Sequence, residues 1–371
     1  MNKKKAVPGR VVLFSDETRG HNHQSLGVAR WVERLCGAEI YEIRVPSFSG
    51  LQRLRILKQQ ARHLGTASDA EIKEWLKTTG FELEAHAGTL SDNTEMLYIA
   101  TGNSSSPFCL ALSRLFKGRS AVIMTPTVLD TRLFDFAIVP LHDHPAPADN
   151  LITTLGAPNH IYYPELQAAA AETFASLLPF PKKVIALLLG GSDANYELTP
   201  DWVRFVLPSL REAAEKQGAA LLVTTSRRTG KEADAAVEFV LKDSPATRYL
   251  LLASRSQENP VPAMLGAATH VIVTEDSVSM ASEAATAGFR VGLLRVEKKQ
   301  SPLTKLRRHL GGGTVKFDAL FTEMAARGLV DDLGTTPDFD SFLATEARKT
   351  DVPFNEAKRA AEWILSRWPG K

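Results

Sequence analysis

The sequence predicts an α/β protein built from two Rossmann-like, doubly wound domains. Three observations carry that reading. Short buried-strand runs alternate with amphipathic helical stretches along the chain, the pattern of parallel sheets with helices on both faces. The alternation breaks at 'LLPFPKK' (177–183), where two prolines mark a linker, and then restarts. The length of 371 residues is enough for two full cores. Two such domains facing each other would leave a cleft between the carboxyl ends of their strands, where ligands of these sheets bind.

In the first half, 'RVVLF' (10–14) reads as a buried strand followed by a polar loop. The next helix, 'QSLGVARWVERLCG', has Val28, Trp31, Val32 and Leu35 at helical spacing and Gly37 as its cap. 'AEIYEIRVP' is a strand, and 'SDAEIKEWLK' (68–77) opens a helix with a capping box of Ser68 and Glu71. 'LYIATG' (97–102), 'SAVIMTP' (120–126) and 'FDFAIVP' (134–140) are further strands, with a helix at about 107–117. After the linker, 'VIALLLGGS' is a strand ending in a glycine turn. 'TPDWVRFVLPSLREAAEKQG' is a helix capped by Thr199 with Pro200 in its first position. 'ALLVTTS' (220–226), 'RYLLL' (248–252), 'HVIVT' (270–274) and 'RVGLL' (290–294) are strands, and 'FNEAKRAAEWILSRW' (354–368) is a last amphipathic helix. The domains are therefore expected at 1–178 and 184–345, with a helix over 350–371 packing back on the first.

Hydrophobic residues are 44% of the chain and charged residues 23%, a globular composition. A net charge of +2 argues neither for nor against nucleic acid, and no nucleic-acid partner is expected. Cys36 and Cys109 are too few for a disulfide scaffold or a cysteine-rich zinc site. No apolar run approaches the roughly 20 residues that span a bilayer, and 'MNKKKAVPGR' lacks the apolar core of a secretory signal. A cytoplasmic location is expected, with peripheral contact to the inner membrane left open.

The motifs lie at the ends of strands. 'VTEDSVSMASEAATAG' (273–288) places a helix start after 'HVIVT'. Unpaired N–H groups and partial positive charge there suit a phosphate, Ser277 and Ser279 can add hydroxyls, and Glu283 falls inside the second turn, where it can bind a ribose diol. The same stretch also fits plain N-capping by Asp276 or Ser277 with Glu283 in solvent. 'LLLGGSD' (187–193) allows a sharp turn and close approach to a ligand through Gly190 and Gly191. It also fits an ordinary strand–helix turn, and it is not a P-loop. Arg227 or Arg228 of 'TTSRRTG' could neutralise a diphosphate or stand on the surface.

In the first half, 'SDETRGHNHQS' (15–25) holds His21 and His23, and a histidine is the usual base for deprotonating a hydroxyl. 'ATGNSSSP' (100–107) adds a second glycine and serine loop with Asn103 and Ser104. 'PLHDHP' (140–145) is metal-like in composition, yet residues one apart point different ways on an extended segment, so no metal site is expected. 'LQRLRILKQQARHLG' (51–65) reads as a basic amphipathic helix, either solvated or in contact with an anionic lipid or glycolipid.

'TRGHNHQSLGVARWVE', 'LLLGGSDANYE' and 'SVSMASEAATAG' resemble, in this order, the segments of the glycosyltransferase that adds N-acetylglucosamine to the peptidoglycan lipid precursor. 'VTEDSVSMASEA', 'ATGNSSSP', 'FDFAIVPLHDHP' and 'TLGAPNHI' resemble the mitochondrial-fission ELM family more closely and over most of the chain. Two departures stand out. 'ETRGH' is poorer in glycine than the matching loop of the glycosyltransferases, and Arg290 replaces a proline in 'AGFR'.

The resemblance implies the GT-B fold, with an N-terminal acceptor domain and a C-terminal donor domain. It implies Glu283 on the donor ribose, and Gly190, Gly191 and Ser192 at the diphosphate with Ser277, Ser279 and Arg227. It implies His21 as the base or as the group that orients the acceptor, with Asn103 and Ser104 on the acceptor side. The activity it implies is metal-independent inverting transfer from a nucleoside-diphosphate sugar, used as substrate with no cofactor, to a saccharide or glycolipid acceptor. A nucleotide-sugar epimerase and a non-catalytic partner-binding protein are the other readings.

Overall fold

The computed structural model describes residues 6–90, 95–300 and 314–368. The chain forms two compact units. One runs to His160 and resumes at Asn355; the other is Ile161–Phe354.

The first unit is a six-stranded parallel sheet in the order β2-β1-β3-β4-β5-β6. Its strands are β1 (Arg10–Ser15), β2 (Glu39–Arg44), β3 (Met96–Thr101), β4 (Arg119–Ile123), β5 (Phe136–Pro140) and β6 (Leu151–Thr154). The helices are α1 (Arg19–Cys36), α2 (Gly50–Arg53), α3 (Asp69–Thr79) and α4 (Gly102–Leu115). Alternate side chains of β1 go to opposite faces, as the pleat requires. Val12 and Phe14 join Trp75, Phe108 and Ile56 in one core. Val11 and Leu13 join Val28 and Val32 of α1 in the other, which the last helix, Glu356–Arg367, completes with Ala357, Ala361 and Ile364. The basic segment is helical but irregular: α2 passes into a π-helical stretch, Leu54–Gln60, and a 3₁₀ turn, Ala61–His63.

The second unit contains α5 (Tyr163–Thr173), β7 (Val184–Leu188), β8 (Tyr196–Glu197), α6 (Pro200–Lys216), β9 (Ala220–Thr224), α7 (Lys231–Leu241) and β10 (Thr247–Leu251). It continues with α8 (Val261–Ala267), β11 (His270–Thr274), α9 (Val278–Thr286), β12 (Val291–Leu294), β13 (Glu297–Lys298) and β14 (Val330–Asp332). Six strands form a second parallel sheet, β10-β9-β7-β11-β12-β14, while β8 and β13 pair separately. The units divide ahead of Ile161, not in 'LLPFPKK', where the composition placed the linker. Helix α5 packs closely on α8: a side chain on Gly266 would strike the Leu166 carbonyl.

Three sequence features act locally as expected. Ser68 and Glu71 form the capping box of α3. The Thr199 hydroxyl accepts from the Trp202 amide at the start of α6. Gly37 closes α1 in the left-handed conformation, at φ 80°. Among the described residues no helix is long and apolar enough to cross a membrane.

Candidate functional site

Each sheet has one place where the strand order reverses, and in open α/β sheets ligands gather at the carboxyl ends of the strands there. In the second unit the order runs from β7 through β9 to β10 and then resumes with β11 on the other side of β7. The turns after β7 and β11 therefore lie side by side. They hold Gly190, Gly191 and Ser192 on one strand end, and Asp276, Ser277 and α9 on the other.

Three consecutive amides of the glycine turn are committed inside the protein. Gly190 N–H donates to the Thr274 hydroxyl (2.8 Å) and Gly191 N–H to Asp276 Oδ2 (2.6 Å). Ser192 N–H donates to the Arg228 carbonyl (2.9 Å). The glycines are there for space. A Cβ on Gly190 would stand 2.0 Å from Asp276 Oδ2, and one on Gly191 would stand 2.1 Å from the Arg228 carbonyl carbon. Of the two arginines, Arg228 joins this node: its guanidinium donates to Asp276 Oδ2 (3.0 Å) and to the Gly191 carbonyl (3.3 Å). Arg227 is exposed and bonds Gln257.

The Asp276 side chain is fully withdrawn from solvent. Burial raises its pKa above the ordinary 3.8, with the Gly191 amide, Arg228 and Thr274 opposing the rise. Its Oδ1 is buried without a hydrogen-bond partner among the described residues. Next to it, Glu275 accepts from Val296 N–H (3.0 Å) and Arg295 (2.7 Å), and Arg295 also holds Asp332 (2.6 Å). This pins the start of the β11–α9 connection to β12.

Ser277 caps α9, accepting from Met280 N–H at 3.4 Å. The helix begins at Val278, so Glu283 falls in its second turn. At 7% exposure Glu283 is not the solvated side chain that the sequence also allowed. Ser279 is half-buried in the first turn.

The first unit repeats the arrangement. Its order reverses between β1 and β3, and the turns after these strands carry His21 and Gly102. His21 lies in the first turn of α1, not in the loop, because α1 starts at Arg19. Its Nδ1 is 2.9 Å from Asp16 Oδ2. Burial favours the neutral Asp16, but His21 and the Thr18 amide and hydroxyl outweigh it and hold the carboxyl below 3.8. A ring that donates Nδ1–H to this carboxylate keeps Nε2 as its acceptor. The ring lies over Gly102, where a Cβ would come 2.8 Å from His21 Cε1.

Asn103 and Ser104 are also helical, in the first turn of α4. Asn103 Oδ1 accepts from the Thr127 amide (2.7 Å) and hydroxyl (3.1 Å), and the Ser104 hydroxyl accepts from Arg53 (3.4 Å). His23 packs edge-on against His160, with ring centroids 4.9 Å apart. Among the described residues no three His, Cys, Asp or Glu side chains are grouped to hold a metal ion. The sequence reading did not pair Asp16 with His21 and had Asp276 only as a cap. The signal it lacked was the strand order, which sets the two turns of each unit side by side.

A model of the family described as mitochondrial fission ELM1 matches residues 19–368, and the chain belongs to that family. Mitochondrial fission protein ELM1 of Arabidopsis thaliana is 24% identical over 180 residues, which are 48% of this chain and 41% of that protein. Among solved structures, a proposed UDP-N-acetylglucosamine 2-epimerase of Listeria monocytogenes is 11% identical with a TM-score of 0.55, covering 97% of this chain and 96% of that one. The MnaA–UDP structure from S. aureus is 11% identical with a TM-score of 0.53, covering 96% and 95%. The chain has the GT-B fold of two Rossmann-like domains.

Proposed function

We propose that this ELM1-family chain is a metal-independent glycosyltransferase that takes a nucleoside-diphosphate sugar in its second unit and a saccharide or glycolipid acceptor in its first. One observation carries the donor assignment. Glu283 is a buried carboxylate in the second turn of a capped helix, at the switch point of its sheet. A carboxylate there can accept both hydroxyls of a ribose, with the diphosphate reaching back to the helix start near Ser277 and Ser279. The neighbouring node already holds negative charge, since Gly191 N–H and Arg228 both bind Asp276. A phosphate oxygen is the natural substitute for that carboxylate once Asp276 turns aside.

In the first unit, His21 Nε2 would take the proton of the acceptor hydroxyl as it attacks the anomeric carbon. Asp16 would hold the ring and stabilise the imidazolium that forms. The nucleoside diphosphate departs with the electrons of the broken glycosidic bond, its charge stabilised by the helix start and Arg228.

The test is calorimetric titration of the full chain with a panel of nucleoside diphosphates, with and without chelator, followed by product analysis with the matching sugar donors. Selective binding that survives chelator is expected. Failure of every nucleotide to bind would end this reading.

The buried Asp276 side chain, whose Oδ1 has no hydrogen-bond partner among the described residues, also favours a second reading, epimerisation of a bound nucleotide sugar. Deuterium entering the donor sugar from heavy water, with no acceptor present, would decide for it.

A further inference from the structure

The first unit contains a cavity of about 380 Å³ at the junction of α2, the π-helical stretch, the start of α4 and the loop after β4. Its walls mix three kinds of group. Arg53 and Lys58 supply two cations, Asn103 and Thr127 supply neutral polar groups, and Leu54 and Leu57 supply apolar surface. Among the described residues no carboxylate lines it. Among the described residues Lys58 has no ion-pair partner, and Arg53 has only the Ser104 hydroxyl, at 3.4 Å. Asn103 accepts both Thr127 bonds through Oδ1, which leaves its two Nδ2 hydrogens uncommitted. The wall is thus rich in donors and positive charge, with nothing among the described residues to neutralise it.

The backbone sets this up. The change to π-helical winding over Leu54–Gln60 sends Ile56 and Leu57 into the core and leaves Arg53, Leu54 and Lys58 outside. Single π turns inside helices often mark functional sites. Leu51 in α2 is 84% exposed, and Leu54 at the start of the π-helical stretch is 44% exposed. Apolar surface therefore continues outward from the charged wall, the pattern of a site for an anion joined to an apolar group.

We infer that this cavity binds the phosphoryl group of an amphiphilic acceptor, with Arg53 and Lys58 as the recognising cations and the Leu51–Leu54 surface meeting its apolar part. Its role as an acceptor site rests on the transferase reading above, while the anion chemistry stands without it. Two sources share that chemistry: a soluble phosphate ester and the headgroup of an anionic lipid.

The experiment compares the native full chain with R53A/K58A and with the charge-preserving R53K/K58R. Each is titrated with inorganic phosphate by calorimetry, and each is floated with vesicles of phosphatidylcholine alone or with a fifth phosphatidic acid. A uridine or guanosine diphosphate titration alongside reads the donor site separately. If the inference holds, phosphate or the anionic vesicles bind the native chain, R53A/K58A loses at least about tenfold of that affinity, and R53K/K58R keeps most of it. Phosphate binding would point to a soluble ester, and vesicle binding alone to a lipid. Equal affinity in the native chain and R53A/K58A, or no binding of either probe by the native chain, would overturn it. Loss of nucleotide binding in every form would count against the donor assignment and leave the cavity result standing.

Discussion

His21 Nδ1 and Asp16 Oδ2 lie 2.9 Å apart, with the Asp16 side chain only 6% exposed. A carboxylate held ionised and out of water beside an imidazole fixes the ring and stabilises its cation. Replacing His21 by alanine should then cost about 10²–10⁴ in sugar transfer, the usual worth of a positioned base. Asp16→Asn keeps an acceptor for Nδ1–H but removes the charge, so its loss should be smaller. In neither variant should nucleotide affinity change, because the donor groups belong to the other unit. Turnover and nucleotide binding measured side by side check this. A parallel fall in both would make His21 a structural residue.

Glu283→Ala should weaken nucleoside-diphosphate binding by about 1.5–3 kcal/mol, the range for lost hydrogen bonds to a charged group. The residue is buried but lies on a helix rich in small side chains, so the fold should tolerate the change. Calorimetry on a variant with native-like melting is the measurement. Unchanged affinity would make the buried carboxylate a packing feature of α9.

What could be read from the sequence follows from where each signal is stored. Local signals survive into the structure: the Ser68–Glu71 box, the Thr199–Pro200 start and the helix start at Val278 are all in place. Helices α1 and α4 begin earlier than expected because neither has a side-chain cap. The start expected for α4 at about residue 107 is five residues late, and Pro107 lies inside the helix. His21, Asn103 and Ser104 moved from loops into first turns as a result. The domain division was misplaced for a different reason: composition singles out the prolines, whereas α5 belongs to its unit through packing on α8. The node of Gly191, Arg228 and Asp276 joins residues far apart in sequence, and only the strand order brings them together.

The two glycines of the 'GGS' turn should be unequal under substitution. Gly190→Ala drives its methyl against the Asp276 carboxylate, a side chain that can shift at the loss of two bonds. Gly191→Ala drives it into the backbone of Arg228 and Thr229, which is held by its own turn bonds. Overpacking of this kind costs about 1–3 kcal/mol, with Gly191→Ala toward or beyond the upper end. Denaturant unfolding of both variants tests the order, and equal stability of Gly191→Ala with the native chain would refute it.

Asp276 sets the sign of a pH effect. Its folded pKa lies above the ordinary carboxyl value of 3.8, with burial the largest cause. The folded state therefore binds this proton more tightly than the unfolded chain does. The charge is a penalty on folding that is absent below 3.8 and grows until the pH passes the folded value. Asp276→Asn carries no such proton, and its amide oxygen can still accept from Gly191 N–H. The stability of the native chain minus that of Asp276→Asn should accordingly be largest in acid and fall as the pH rises toward neutral. Urea titrations of both forms across that range measure the difference directly. A difference that grows with pH would mean that Arg228 and the Gly191 amide outweigh burial, and that the carboxylate is held as a stable anion.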